Sequence, residues 1–146
     1  MFDVVYYSWS GNTRKVAEVI AAELGVTAEN IKKKKGLTEG SFVFLGSGNY
    51  GGGPGRTMRK FIAGNDFKGR QVALFGTSGD GKGSEVKAME EMLREAGAVI
   101  KGSFYCKGRY FFFFNRKHPS REEMAKAREF ANEMKSQKHK EENDGN

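Results

Sequence analysis

The sequence predicts an α/β protein built on a doubly wound, five-stranded parallel sheet, packed as a three-layer α/β/α sandwich. Three observations support this class. Short apolar runs alternate with segments of helical period, the strongest runs are apolar throughout, and glycine-rich loops follow three of them. Strands that are apolar on both faces are typical of parallel sheets covered by helices. We expect residues 1–136 to form this single domain.

The first strand and helix are the most clearly defined elements. FDVVYY, residues 2–7, is a buried strand, and the following helix runs from Asn12 to Leu24 with its apolar residues on one face. Gly25 supplies a left-handed C-cap at the end of that helix. Residues 29–33 make at best a short edge strand, because they carry only one apolar side chain.

The remaining elements follow the same alternation. Strands are predicted at 41–46, 70–76 and 98–106, and helices near 56–63 and 84–96. A last helix begins at Ser120 with a capping box, since Glu123 follows three residues later. The polar tail, residues 137–146, has no apolar periodicity and is expected to be disordered.

Composition limits the classes of function. The chain has 146 residues, a net charge of +7 and one cysteine, Cys106, which cannot form an internal disulfide. A reducing cytoplasm is therefore the expected location. No apolar run approaches the roughly 20 residues of a membrane span, and the N-terminus lacks the basic start of a secretory signal. The sequence contains no spacing typical of a metal site or of a Ser-His-Asp triad.

Three glycine-rich loops follow predicted strands: SWSGNT at 8–13, GSGNYGGGPG at 46–55 and GTSGDGKG at 76–83. In a doubly wound sheet all strand-to-helix loops emerge at the carboxyl edge of the strands. A single loop of this kind is explained by a turn that needs positive φ. Three such loops at one edge predict a ligand site.

The first loop indicates an anionic ligand. A helix N-terminus leaves about four N–H groups unpaired and carries partial positive charge. Ser8, Ser10 and Thr13 add hydroxyl donors, Asn12 adds an amide, and Gly11 allows close approach of the backbone. A phosphate held by uncharged donors is the expected ligand. Helix capping would explain one of these polar residues but not the whole run.

The other two loops match known phosphate motifs incompletely. Residues 46–51 satisfy G-x-G-x-x-G, but Pro54 follows and no acidic residue stands about 20 positions on to bind a ribose. Residues 76–82 match the start of a P-loop, but Gly83 stands where a serine or threonine must hold magnesium. We therefore disfavour both motifs.

A strand followed by S-x-S-G-N-T and an amphipathic helix, at the start of a chain of this size, resembles the flavodoxins, in their short-chain form. The resemblance extends from Met1 to about residue 136. It implies a sheet of order 2-1-3-4-5 with flavin mononucleotide (FMN) at the switch point between strands 1 and 3. The cofactor-binding residues that it implies are Ser8, Trp9, Ser10, Gly11, Asn12, Thr13, Asn49, Tyr50, Gly51, Gly52, Gly53, Thr77, Ser78, Gly79, Asp80 and Gly81.

The three loops have different expected roles in such a site. Residues 8–13 would wrap the phosphate, and the two later loops would contact the flavin ring. Trp9 and Tyr50 are the aromatic candidates to cover the ring faces. Backbone groups of residues 51–53 and 77–81 would contact its polar edge. The third loop has no aromatic residue, unlike that of many flavodoxins, so one ring face is expected to be more open.

The function implied is electron transfer between protein partners, with no catalytic residue of its own. Three alternatives remain: an FMN-dependent NAD(P)H:quinone-type reductase, a flavodoxin-like activator of a manganese ribonucleotide reductase, and a flavin-free interaction module. The chain has no long insertion to build a substrate pocket, which favours the carrier. The Tyr50–Gly53 loop favours the activator, but TSGDG matches that family poorly.

The basic charge predicts the kind of partner. Six cationic residues are expected on or near the binding edge: Arg56, Arg59, Lys60, Lys82, Lys107 and Arg109. A basic face attracts acidic proteins, and positive charge favours a less negative potential for the reduced cofactor. The run Lys32–Lys35 is interpreted as a solvated edge. We expect a monomer that binds acidic redox partners and no nucleic acid.

Three other features are assigned structural roles. Tyr110–Phe114 is expected to pack beneath the last helix, with an exposed docking patch as the alternative. Cys106 is expected to be a buried strand residue. His118, before Pro119 at a helix start, is also expected to be structural.

Overall fold

The computed structural model describes residues 1–34, 36–108 and 118–144. Strands and helices alternate along the chain. Their bounds are β1 Phe2–Tyr7, α1 Asn12–Leu24, β2 Ala28–Asn30, β3 Phe42–Gly48, α2 Gly55–Gly64, β4 Gln71–Ser78, α3 Ser84–Glu95, β5 Val99–Lys107 and α4 Arg121–Asp144.

The five strands form one parallel sheet in the order β2-β1-β3-β4-β5. This confirms the predicted order 2-1-3-4-5 and the doubly wound class. The order reverses between β1 and β3, whose paired residues run from Phe2 with Phe42 to Tyr7 with Ser47. The loops after β1 and β3 therefore diverge to opposite faces of the sheet and leave a crevice between them.

Helices cover both faces of the sheet, which confirms the three-layer architecture. On one face, α1 and α4 pack on a cluster that includes Phe44, Phe75 and Phe130. On the other, α2 and α3 pack on a cluster that includes Leu45, Phe67 and Leu74. Strands β3 and β4 contribute to both clusters because they lie in the middle of the sheet. This accounts for their uninterrupted apolar sequences.

Local sequence signals define several element ends. Helix α1 has the bounds predicted, and Gly25 ends it in the left-handed conformation at φ 72°. The capping box before α4 is formed: the Glu123 backbone N–H donates to Ser120 Oγ at 3.2 Å, and the Ser120 backbone N–H donates to Glu123 Oε1 at 2.9 Å. His118 Nδ1 also contacts Glu123 Oε1, consistent with a structural role.

The expectation of a disordered tail is wrong for the described residues, because α4 continues to Asp144. Tertiary contacts hold this extension. Glu141 contacts Lys101 and accepts a hydrogen bond from Gln71 Nε2 at 3.1 Å. The Lys138 ammonium lies 5.4 Å from the centre of the Phe2 ring. The sequence pattern of the tail does not reveal these contacts, because their partners lie far away in the chain.

The lysine run also differs from its interpretation as a solvated edge strand. Strand β2 ends at Asn30, and Lys32 and Lys33 lie in the turn that follows it. Lys34 Nζ lies 3.0 Å from a Glu29 carboxylate oxygen and 3.5 Å from Asp3 Oδ1. It is therefore a structural ion-pair residue, whereas Lys35 lies outside the described residues.

Two remaining expectations have different outcomes. Cys106 is buried in β5, as predicted. The aromatic run Tyr110–Phe114 lies outside the described residues, as does Arg109. Across the described ranges, no helix combines the length and apolar character needed to traverse a lipid bilayer.

Candidate functional site

The loops after β1, β3 and β4 meet at the carboxyl edge of the sheet and enclose a cleft of about 200 Å³. Its lining comes from all three loops and from the end of β5: Trp9, Ser10, Asn12, Thr13, Gly48, Asn49, Tyr50, Thr77, Ser78, Gly79 and Gly108. The convergence predicted from the parallel sheet is thus present in the structure.

Loop 8–13 is shaped around a left-handed glycine. Gly11 has φ 93°, and a Cβ placed on it would meet no atom within 4 Å. The Gly11 N–H donates to Ser8 Oγ at 3.0 Å, which closes the turn. Asn12 Nδ2 donates to Ser10 Oγ at 3.0 Å. The space above Gly11 is therefore open to a ligand.

The mouth of α1 offers uncharged donors. Among the described residues, no acceptor is hydrogen-bonded to the backbone N–H of Ser10 or Thr13. The first turn of α1 contains no acidic residue. These N–H groups and the positive end of the helix dipole form the donor set that suits a phosphate.

Two hydrogen bonds tie the first loop to its neighbours. The Trp9 backbone N–H donates to the Tyr50 hydroxyl at 3.1 Å, and the Thr13 and Thr77 hydroxyl oxygens lie 2.8 Å apart. Burial raises the pKa of the Tyr50 phenol, which keeps it neutral. Its ring lies 5.7 Å from that of Tyr7. Trp9 itself is 84% exposed and projects from the cleft wall.

Loop 49–53 is closed by its own hydrogen bonds. The Tyr50 N–H donates to the Gly53 carbonyl at 2.7 Å, and the Gly52 N–H donates to Asn49 Oδ1 at 2.8 Å. Gly51 and Gly52 both have positive φ. This turn is therefore one that only glycine adopts at low cost.

The third loop is closed in a similar way. The Gly81 N–H donates to Ser78 Oγ, and the Lys82 N–H donates to Asp80 Oδ1, both at 2.9 Å. The hydrogen bond from the Lys82 backbone N–H, and to a smaller extent the one from the Ser78 hydroxyl, lowers the pKa of the Asp80 carboxyl. Asp80 therefore carries a negative charge within the loop.

The structure brings nine of the sixteen predicted site residues into the cleft lining. Those nine are Trp9, Ser10, Asn12, Thr13, Asn49, Tyr50, Thr77, Ser78 and Gly79. The other seven are in the same loops but do not line the cleft: Ser8, Gly11, Gly51, Gly52, Gly53, Asp80 and Gly81. The roles of all sixteen in cofactor binding stay predictions.

Sequence reasoning missed two glycines that shape the cleft. A Cβ on Gly108 would lie 2.7 Å from Asn12 Nδ2, and a Cβ on Gly48 would lie 3.0 Å from the Tyr50 hydroxyl. Both glycines therefore give room to predicted site residues. Gly48 belongs to the second glycine-rich loop, residues 46–55. No local sequence pattern marks Gly108 as part of the cleft, because the residue that it makes room for, Asn12, is distant in the chain.

Sequence reasoning also missed Glu85, which lies on the first turn of α3. This side chain is 0% exposed, and its Oε2 accepts a hydrogen bond from Asn49 Nδ2 at 3.1 Å. In the sequence, Glu85 reads as an ordinary acidic residue favoured near a helix N-terminus. Only its burial beneath the second loop distinguishes it.

Five exposed cations lie on the third loop, at the end of β5 and on α2. The Lys107 side chain lies against Gly81, and the Arg59 guanidinium lies against Gly53. Lys82 is exposed on the third loop, and Arg56 and Lys60 are exposed on α2. In the described part of the chain, none of these five cations forms an ion pair.

A larger cavity of about 450 Å³ lies at the amino edge of the sheet, but several of its charged groups are already engaged. Arg70 Nη1 donates to the carbonyls of Thr38 and Ser41 at 3.0 and 3.2 Å. Glu141 contacts Lys101. The smaller cleft is the better candidate because its donors face open space.

Comparison with known proteins agrees with this geometry. The flavodoxin domain family matches residues 3–144. An uncharacterized protein of Methanocaldococcus jannaschii is 30% identical over 131 residues, which cover 82% of this chain and 87% of that one.

Two solved structures share the fold. A flavodoxin from the domain Archaea superposes with a TM-score of 0.72 at 22% identity, covering 89% of this chain and 92% of that one. A short-chain flavodoxin associated with a PDU bacterial microcompartment gives 0.65 at 17% identity, covering 90% and 95%. The strand order, the three converging loops and the domain match over nearly the whole chain lead to one assignment: this protein belongs to the flavodoxin family.

Proposed function

We propose that this protein binds FMN in the carboxyl-edge cleft and carries electrons between protein partners. One observation carries the proposal: three strand-to-helix loops converge on a cleft whose first loop presents uncharged donors at the mouth of α1. Membership of the flavodoxin family supports the same conclusion.

Loop 8–13 would hold the phosphate. The open N–H groups of Ser10 and Thr13 and the hydroxyl of Ser10 can donate to its oxygens. The empty space over Gly11 allows the anion to approach the backbone. Because the donors are neutral, the negative charge is balanced by dipoles instead of by a counter-ion.

The other two loops would hold the flavin ring. Tyr50 and Trp9 are the aromatic side chains at the cleft, and their hydrogen bond fixes the first two loops relative to each other. The cleft of about 200 Å³ is smaller than the roughly 300–1,000 Å³ of closed ligand pockets. A nucleotide held here would keep an edge in solvent, as electron exchange with a partner requires.

Bound flavin supplies reversible uptake and release of electrons, and the chain supplies binding, orientation and electrostatics. Lys82 and Asp80 lie on the third loop and Lys107 lies against it, and neither lysine forms an ion pair with a described residue. Positive charge stabilises an added negative charge on a nearby cofactor. We therefore expect a less negative midpoint potential than in an acidic flavodoxin.

The same cations define the proposed partner. Lys82 and Lys107 lie at the third loop, Arg59 lies against the second, and Trp9 in the cleft lining has 84% of its surface exposed. A cationic rim around an exposed aromatic side chain fits an acidic face on another protein. The proposed partners are therefore redox proteins with acidic docking surfaces.

Replacement of Gly11 by leucine tests the phosphate site. Gly25→Leu, at the other end of α1, is a matched control because both glycines have positive φ and no atom within 4 Å of an added Cβ. Each variant should lose about 1–2 kcal/mol of stability from the left-handed backbone. Only Gly11→Leu should weaken FMN binding, by at least about 100-fold. Equal affinity in the two variants would contradict the assignment of the loop.

Reduction by NAD(P)H separates the carrier from the reductase. We expect the FMN-loaded protein to stay oxidised when NADH or NADPH is added alone, because the chain has no long insertion to build a substrate pocket. Absorbance of the bound flavin reports the outcome. Rapid bleaching by either nucleotide would instead support a reductase.

Charge reversal tests the basic rim. The Lys82→Glu, Lys107→Glu double variant should make the midpoint potential more negative, and the difference from wild type should shrink at high salt. Lys140→Glu, at the far end of α4, is the control because it makes a similar change away from the cleft. A potential that is very low, insensitive to salt and equal in all variants would contradict the proposed role of the rim.

A further inference from the structure

Glu85 is a buried carboxyl that the proposed function does not use. It is 0% exposed and lies against β4, where a Cβ on Gly76 would come within 2.3 Å of Glu85 Oε1. The absence of a side chain at Gly76 therefore makes the room that this carboxyl occupies. Such a site is built for the group and is not an accident of packing.

The two carboxyl oxygens of Glu85 have different surroundings. Oε2 accepts a hydrogen bond from Asn49 Nδ2 at 3.1 Å, whereas Oε1 is the buried side-chain polar atom of the described residues that has no hydrogen-bond partner. A buried carboxylate with one neutral side-chain donor and no cation is costly. Burial therefore favours the neutral acid more than it is favoured in an exposed glutamate.

The groups that face Glu85 from neighbouring elements do not offset a charge on it. Burial is the main cause that raises the pKa of Glu85, and the negative charge of Asp80 raises it further. Hydrogen bonds from the Glu85 backbone and from Asn49 lower the pKa, but they do not outweigh burial. On β5, burial followed by the charges of Glu123 and Glu85 raises the pKa of Cys106 to about 12. The thiol therefore stays neutral and adds no charge beside Glu85.

Asn49 connects Glu85 to the cleft. Its Nδ2 donates to Glu85, and its Oδ1 accepts the Gly52 backbone N–H at 2.8 Å. Asn49 also lines the cleft, which Glu85 does not. One amide side chain thus joins the buried carboxyl to the turn at residues 49–53.

We propose that Glu85, held as the neutral acid, is a positioning residue that fixes Asn49 and thereby the turn at residues 49–53 in the wall of the cleft. When the carboxyl ionises, the uncompensated charge is relieved by opening of this turn to water. The effect on the turn is a property of the chain alone, whereas its consequence for FMN rests on the proposed function.

The first test measures hydrogen exchange of the Gly52 amide in the cofactor-free protein over a range of pH. Glu85→Gln keeps an acceptor for Asn49 and cannot ionise, so its protection should follow only the intrinsic pH dependence of exchange. Wild type should lose additional protection as pH rises above the ordinary range of a glutamate, about 4.3. Glu85→Ala lacks the acceptor and should lose protection at every pH, by about tenfold.

Urea unfolding of the same variants gives a second readout. A carboxyl whose folded-state pKa is raised binds more protons in the folded state, so stability falls as pH rises from the unfolded pKa through the folded one. The urea midpoint of wild type should therefore fall relative to that of Glu85→Gln over this window. Glu91→Gln, exposed on the same helix, is the matched control and should follow wild type.

The cofactor experiment measures the Kd for FMN between about pH 5 and pH 8, the range around a raised carboxyl pKa. Wild type should bind progressively more weakly than Glu85→Gln as pH rises. If hydrogen exchange and urea unfolding depend on pH in the same way in wild type and in Glu85→Gln, the positioning role is overturned even if FMN binds. Different profiles without any FMN binding would support Glu85 and reject the proposed function.

Discussion

Two buried carboxyls at opposite edges of the sheet have opposite environments. Asp3, at the amino edge, accepts hydrogen bonds from the Thr38 N–H at 2.8 Å, the Thr38 hydroxyl at 3.1 Å and the Ser41 hydroxyl at 2.7 Å, and Lys34 lies 3.5 Å away. Glu85, at the carboxyl edge, has one side-chain donor and one oxygen without a partner.

Burial acts on both groups in the same direction, but the outcome differs. Burial raises the pKa of Asp3, yet the bonds from Ser41 and Thr38 and the charge of Lys34 together outweigh it and lower the pKa overall. For Glu85 the burial effect is not outweighed, and the pKa is raised. The additional donors and the Lys34 charge around Asp3, which Glu85 lacks, account for the opposite directions of the two shifts.

The comparison also separates the roles of the two edges. At the amino edge, polar groups satisfy one another and stabilise the fold. At the carboxyl edge, the N–H groups of the first loop face open space and the five cations form no ion pair with a described residue, an arrangement that leaves them available to a ligand. The larger of these two cavities lies at the first edge, and the candidate site lies at the second.

The largest effect is expected from Asp3→Ala. The substitution leaves the hydroxyls of Thr38 and Ser41 and the ammonium of Lys34 without their shared acceptor, so stability should fall by about 3 kcal/mol. Urea unfolding measures the loss. Glu18→Ala, which removes an exposed pair with Arg14, is the control and should cost less than about 0.5 kcal/mol. Equal losses in the two variants would show that the Asp3 network is not stabilising.

A smaller effect is expected from Gly76→Ala. The new Cβ would lie 2.3 Å from Glu85 Oε1 and 2.8 Å from Val86 Cγ2. Overpacking of this kind should cost about 1–3 kcal/mol. Adding Glu85→Ala should reduce that cost by about 1 kcal/mol, because most of the crowding atoms are removed.

Gly64→Ala is the control for the added methyl group. A Cβ on Gly64 meets no atom within 4 Å, so this variant should be as stable as wild type or slightly more stable. Simple additivity of Gly76→Ala and Glu85→Ala would mean that the two residues do not share the space assigned to them.

The smallest effect is a difference in the pH dependence of stability. Because the folded-state pKa of Asp3 is lowered, its stabilisation is present above the unfolded pKa of about 3.9 and is lost as pH falls through the folded value. Asp3→Asn should therefore lose less stability on acidification than wild type. Glu85→Gln should lose less stability than wild type as pH rises, whereas Asp3→Asn differs from wild type as pH falls. Identical acid slopes in wild type and Asp3→Asn would remove the contrast between the two carboxyls.

The sequence was sufficient for the parts of the molecule that depend on local pattern. Apolar runs, the Gly25 cap and the Ser120–Glu123 capping box predict the strands and helices within a few residues. Three glycine-rich loops after buried strands predict the edge at which the cleft forms. These predictions are accurate because periodicity, capping and turn conformation depend on neighbours in the chain.

Contacts between distant segments were beyond such reasoning. The extension of α4 to Asp144 depends on Gln71, Lys101 and Phe2, and the ion pairs of Lys34 depend on Asp3. None of these partners is adjacent in sequence, and a polar tail or a lysine run looks the same with or without them.

By itself, then, the sequence determined the sandwich, the strand class and the three loops that form the candidate phosphate-binding edge. Only the tertiary structure decided which polar groups at that edge are satisfied. Glu85 lies 36 residues from Asn49 in the chain, yet the fold leaves Asn49 as its side-chain partner and buries both of its oxygens. The charge of a carboxyl depends on the solvent and donors around it, and these exist only once the sheet and helices have packed.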